Sequence, residues 1–163
     1  MDRNRFVEMF LRFLSNRFGR FLRLSPPGEV AANEVFTRFL VHKRQFALTK
    51  GRVLPPALKP ELNPETHRWE TSTYRIDGLQ AHGIWALGYQ YVEDLPKGRR
   101  IRARGTSLAA SVTDAGLHWD VNGEPYPRHA DIIGWSVNDK DIRMMAATEI
   151  ANKMSLEMDP RGG

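Results

Sequence analysis

Apolar residues in the first two dozen positions recur at threes and fours. Phe6, Phe10, Phe13, Leu14, Phe21 and Leu24 follow the period of one helical face, Met9, Leu11, Phe18 and Leu22 widen it, and arginines fall mainly between them. The pattern predicts an amphipathic helix over residues 3–24. Asp2 can cap its start, and Ser25-Pro26-Pro27-Gly28 can stop it. A second helix is expected from Ala31 to Val41, on the apolar positions Val35, Phe36, Phe39 and Leu40. From His42 to Glu65, Pro55, Pro56, Pro60 and Pro64 forbid a regular helix, so this stretch reads as a short strand or extended segment and then a surface loop. Thr71 to Leu79 has the β-favouring Thr73, Tyr74 and Ile76 before Gly78, and reads as a strand. Gln80 to Tyr91 is open: Ile84, Trp85, Leu87 and Gly88 suit a short helix ended by glycine, while the aromatic run after them also fits a strand.

The following region is β-rich. Arg99–Ala103, Leu108–Thr113, Leu117–Val121 and His129–Trp135 are short runs set off by Gly105, Gly116, Gly123 and the Pro125/Pro127 pair. Asn122-Gly123 is the dipeptide of a tight hairpin turn. A closing helix is capped by Asn138 or Asp139 and carries Ile142, Met145, Ala146, Glu149, Ile150, Lys153 and Met154, with the apolar members on one face. The fold class is therefore α+β: an N-terminal amphipathic helix, a central mostly antiparallel sheet and a C-terminal helix packed on it. The Pro-Pro-Gly stretch divides a basic helical arm, residues 1–25, from an α+β domain over 29–157, with 158–163 as a flexible tail.

Composition narrows the function. The 163 residues are 41% hydrophobic and 26% charged, which excludes wholesale disorder. There are no cysteines, and this removes disulfides, thiolate zinc sites and cysteine nucleophiles together. No apolar run is long enough to span a bilayer, and charges through Arg23 leave no signal-peptide core, so a cytoplasmic location is expected. Residues 1–24 supply +4 of the net charge of +5. Inside the nearly neutral remainder, Arg38, Lys43, Arg44, Lys50 and Arg52 form one basic cluster and Lys97 to Arg104 another.

The order Tyr74-Arg75-Ile76-Asp77-Gly78-Leu79, Ile84-Trp85-Ala86-Leu87-Gly88, then Arg128-His129-Ala130-Asp131-Ile132-Ile133-Gly134-Trp135 with a final amphipathic helix resembles a group of small uncharacterised bacterial proteins. The resemblance covers about residues 34–156. It implies a single domain and carries no activity, cofactor or catalytic residue.

Two constellations carry candidate chemistry. His118-Trp119-Asp120 and His129-Ala130-Asp131 repeat His-x-Asp on two predicted strands, and residues two apart on a strand share a face. If the two pairs converge, His118, Asp120, His129 and Asp131 would hold a divalent metal for hydrolytic or oxidative chemistry, with Glu124 as a general base. If they do not, they are a solvated hairpin face. The second constellation is Lys97, Arg99, Arg100, Arg102 and Arg104, with Trp85, Tyr89 and Tyr91 shortly before: a cationic ribbon for phosphates, or an edge strand defended by charge. His82 and Glu93 read as ordinary surface groups. Ser72, between Thr71 and Thr73, resembles the Ser/Thr strand of mono-ADP-ribosyltransferases, a likeness that β-propensity explains equally well. The chain has no Gly-x-Ser-x-Gly elbow, P-loop or dinucleotide-binding glycine pattern.

The N-terminal helix offers Phe6, Phe10, Phe13, Leu14, Arg17 and Phe21 to the body of the protein, to a protein partner or to an anionic membrane, with the first two favoured. Taken together, these features predict a non-enzymatic accessory subunit of an intracellular, nucleic-acid-handling assembly, with no catalytic residue and no cofactor. The alternative is a metal-dependent enzyme of hydrolase or oxygenase type built on the two His-x-Asp pairs.

Overall fold

The computed structural model describes residues 28–121, 126 and 128–162. The predicted N-terminal helix, with its six candidate partner-binding residues, lies outside them, as do the Asn-Gly turn and Glu124. Among the described residues the core of the structure is a nine-stranded sheet in which every pairing is antiparallel. The strands are β1 (Val35–Leu40), β2 (Phe46–Ala47), β3 (Arg52–Val53), β4 (Glu61–Leu62), β5 (Trp69–Arg75), β6 (Ala103–Leu108), β7 (His118–Asp120), β8 (His129–Ile133) and β9 (Ser155–Met158). Their order is β2-β3-β9-β6-β1-β5-β8-β7, with β4 paired to β5 as a short flap.

The helix expected over 31–41 is instead β1, at the middle of the sheet. Phe36 and Leu40 enter one apolar cluster while Phe39 enters another on the opposite face. A strand buried on both faces loses its alternation, and its apolar positions then imitate helical spacing. The cluster on one face joins Phe36, Leu40, Val112, Ile132 and Trp135 to α3 (Lys140–Asn152) through Ala147, Ile150 and Ala151. Asp139 caps that helix, its carboxylate accepting from the backbone N–H groups of Asp141 at 2.8 Å and Ile142 at 3.0 Å. The C-terminal helix packed on the sheet is thus as expected, but β9 follows it and returns to pair with β6.

On the other face α1 (Ala81–Tyr91) lies over Phe39, Tyr74 and Ile101. The helical alternative for this stretch therefore holds. Gly88 makes the close approach possible: a Cβ there would stand 2.6 Å from the Phe39 ring and 2.8 Å from Ile101 Cδ1.

Three further expectations are corrected. Leu108–Thr113 is not a strand. Its second half forms the short helix α2 (Ala110–Asp114), where the Ser111 and Thr113 hydroxyls donate to the carbonyls of Leu108 and Ala110. Arg99–Ala103 is mostly outside the sheet, which β6 joins only at Ala103. The proline-rich stretch is not a surface loop throughout, because the 3-10 turn Pro55–Leu58 buries Ala57 and Leu58 completely beneath α3.

Within the expected flexible tail, 158–163, residues 158–161 are anchored. The Asp159 side chain is buried and accepts from the Tyr89 hydroxyl at 2.6 Å. Arg161 stacks 3.5 Å above the Tyr89 ring and bonds both Asp159 and Glu93 at 2.8 Å. This clasp ties the chain end to the end of α1. At the C-terminal end of β5, buried Arg75 forms a two-pronged ion pair with Glu34 (Nε–Oε1 2.5 Å, Nη2–Oε2 2.8 Å). It also donates to the carbonyls of Gly28 and Glu29. The lead into β1 is thereby fixed to the sheet.

Candidate functional site

On the α1 side of the sheet, β5 and β8 form the floor of a groove of about 770 Å³. Strand register decides what this floor displays. β5 and β8 align Ser72 with Asp131 and Tyr74 with His129, while Thr71 faces Ile132 and Thr73 faces Ala130. The first four side chains line the groove, and Thr71 and Ile132 turn into the core on the reverse face. Alternation in two paired strands thus separates a hydrophobic set from a polar one.

His129 and Asp131 form a close pair on this floor. Nε2 of His129 lies 3.4 Å from an Asp131 carboxylate oxygen, and the two side chains are 5% and 8% exposed. Burial pushes the Asp131 carboxyl up, Glu70 and Asp120 add to the rise, and His129 and the Ser72 hydroxyl oppose it. Nδ1 of His129 is buried and has no hydrogen-bond partner among the described residues. Arg128, just before, holds a left-handed backbone with φ of 64°, and its guanidinium donates to the carbonyls of Arg75 and Asp77. Those bonds hold the strained entry into β8 that directs His129.

One wall is the β4–β5 hairpin, stiffened by Glu70. Its carboxylate accepts from Asn63 at 2.7 Å, from Thr66 at 2.7 Å and from Arg68 at 3.2 Å. Burial alone would raise this carboxyl, but the three donors outweigh it and hold it below the ordinary carboxylate value. The opposite wall is the end of α1, where Tyr91 meets Tyr126 with ring centres 4.9 Å apart. Tyr74 packs edge-on against His129 and Phe39. Burial pushes its phenol well above the ordinary value, so it remains protonated.

Arg38 reaches the groove from β1. Nε donates to the Ala57 carbonyl at 3.1 Å and Nη1 to the Ser72 carbonyl at 2.6 Å. Among the described residues no carboxylate lies within ion-pair distance of it. Burial lowers its pKa, while Glu61 partly offsets the effect.

The two His-x-Asp pairs do not converge. Asp120 is opposite Asp131 in register, but its carboxylate is held by Arg68 at 2.5 Å. His118 is exposed and aligns with Ile133, farther along the hairpin. Among the described residues no three His, Asp or Glu side chains are arranged to hold a metal ion.

The cationic ribbon is likewise divided. Arg104 is buried on a central strand, where it pairs with Glu157 and stacks on Trp85. It does not lie on an edge. Lys97 pairs with Asp94 at 3.0 Å, Arg100 donates to the Gly162 carbonyl at 2.9 Å, and Arg102 is half-buried. Arg99 alone of the five lines the groove.

Sequence reasoning overlooked Arg38, Glu70 and Tyr126 as site residues. The signal for Arg38 was present: a lone charge inside an apolar strand has to leave the core somewhere. No protein-family model matches the chain, and neither a curated protein nor a solved structure resembles it closely enough to lend it a function. No helix among the described residues is long and apolar enough to cross a membrane.

Proposed function

We propose that this chain is a non-enzymatic binding protein, an accessory subunit whose working surface is the tyrosine-walled groove. The observation that carries the reading is the cleft beside α1, lined by exposed Ser72 and by Tyr74, His129 and Asp131 buried at its base. A concave site with a few convergent polar groups is the usual mark of ligand binding. The groove suits a small polar molecule, or one side chain of a partner, better than a nucleic-acid strand. Its lining includes Glu61, Glu65, Glu70 and Asp131 against Arg38, Lys59 and Arg99. A polyphosphate chain gains from clustered cations, and here carboxylates are interspersed among them. Docking to a larger assembly is proposed from the sequence pattern of the phenylalanine-rich residues 1–25, which lie outside the described residues.

The test is a titration of the isotope-labelled full chain with neutral, cationic and anionic polar fragments, followed by heteronuclear NMR. Perturbations gathered on His129, Asp131, Tyr91 and Tyr126, and weakened in Tyr91→Ala, are the expected result. Perturbations scattered over the surface, or none for any fragment, would refute the groove as a binding site.

A further inference from the structure

The polar groups of the groove differ in how fully they are engaged. Glu70 has three donors, and Asp131 faces His129. Arg38 has only two backbone carbonyls for its five N–H groups, and no carboxylate neutralises it among the described residues. A half-buried guanidinium normally has an anion beside it, because desolvation of a lone charge is costly. Arg99, exposed on the same lining, has no ion-pair partner among the described residues either.

We infer that Arg38, with Arg99 at the rim, forms a receptor for an oxyanion, a carboxylate or phosphate group carried by the ligand of the groove. The inference rests on the groove being the binding surface and adds the chemical class of what enters it. Arg38 is suited to this role by its anchoring. The bonds from Nε and Nη1 to the Ala57 and Ser72 carbonyls fix the guanidinium plane, and Nη2, which has no partner among the described residues, can donate without further ordering. Arg99 supplies the second charge from the end of the turn that follows α1. The carboxylates nearby set an upper limit on the charge accepted. Glu61 and Asp131 both act on Arg38 electrostatically, so a compact oxyanion fits and an extended polyanion does not. The Tyr91 and Tyr126 rings beside the site provide an apolar wall for the remainder of the ligand.

The experiment uses the full chain and two probes, inorganic phosphate and succinate, at constant ionic strength, with binding read by calorimetry. Saturable binding of either supports the receptor, and the preferred probe distinguishes a phosphate ester from a carboxylate ligand. Arg38→Gln is expected to weaken binding about tenfold or more, since it removes a charge-assisted donor pair. Arg99→Gln, at an exposed position, is expected to weaken it by about two- to fivefold. Arg38→Lys keeps the charge but loses the planar fork, and provides the reading if Arg38→Gln does not fold. Equal affinity in wild type, Arg38→Lys and Arg99→Gln overturns the receptor. So does a failure of both probes while neutral or cationic fragments still perturb groove residues, an outcome that leaves the groove itself standing. If no fragment of any charge perturbs the groove, both readings fall.

Discussion

Glu34→Gln provides the most demanding test of the fold. The Arg75 side chain is 2% exposed and that of Glu34 7%, and they meet through two parallel N–H···O bonds of 2.5 and 2.8 Å. Removing one charge of such a buried pair typically costs about 3–5 kcal/mol. Glutamine keeps one acceptor oxygen but turns an NH2 group toward the guanidinium, so one of the two bonds becomes a donor–donor clash. A loss near the lower end, about 3 kcal/mol, is therefore expected. With a urea m-value of about 1–3 kcal/mol/M, the midpoint of unfolding should fall by about 1–3 M. The measurement is equilibrium urea unfolding followed by tryptophan fluorescence, at low salt and again at about 1 M salt, where the Debye length shrinks to about 3 Å. The loss should persist in salt because solvent ions do not reach the pair. E34L/R75M removes both charges and should be more stable than Glu34→Gln, although the carbonyls of Gly28 and Glu29 lose their donor. A loss below about 1 kcal/mol, the range of exposed pairs, would show that the pair is solvated and does not tie residues 28–34 to β5.

Gly88→Ala should destabilise the protein by about 1–3 kcal/mol through overpacking, even though alanine favours helix by about 1 kcal/mol. The new methyl would press within 2.7 Å of two atoms of the Phe39 ring, and an undiminished melting temperature would contradict the close seating of α1 on β1. Asp131→Asn should change the pH dependence of stability. Burial raises the folded carboxyl, so its contribution is complete below the unfolded carboxylate range and is lost as pH rises through the raised value. The variant should therefore gain on wild type in moving from about pH 3 to neutral pH, and a difference between the two that stays constant across this range would refute the assignment.

Elements whose period survives burial were legible in the sequence. α3 has a capping aspartate and an apolar face, and β8 and β7 carry turn residues around them, so their positions were found to within a few residues. β1 was misread because both its faces are covered, and α2 because Val112 and Thr113 are β-favouring, while the Ser111 and Thr113 hydroxyls bond back to their own helical turn. The site was legible in half. His129-x-Asp131 indicated two side chains on one face, and the structure pairs them. Whether the first His-x-Asp joined them depended on Arg68, fifty-two residues from Asp120 in the chain, and no local pattern encodes that contact. Arg104 was read with its charged neighbours because a linear cluster does not show that β6 lies between β9 and β1, where an arginine must find Glu157 and Trp85 instead of solvent.

The same register that builds the core also builds the groove floor, and this links stability to binding. A slip of β8 by one residue against β5 would turn its faces over, sending His129 and Asp131 toward the cluster around Phe36 and Ile132 away from it. Three bonds oppose such a slip without using the polar floor. Thr71 Oγ1 donates to the Leu58 carbonyl, Thr73 Oγ1 to the Ala130 carbonyl, and Arg38 Nη1 to the Ser72 carbonyl. The first two lie wholly inside the protein, where an unmet hydroxyl is penalised, so they hold the register whether or not a ligand is present. The third belongs to the proposed receptor itself. An anion drawn to Arg38 would therefore reach a side chain already fixed against β5, on a floor set by packing behind it. The site is ordered before anything binds, and ligand affinity need not supply the energy of arranging it.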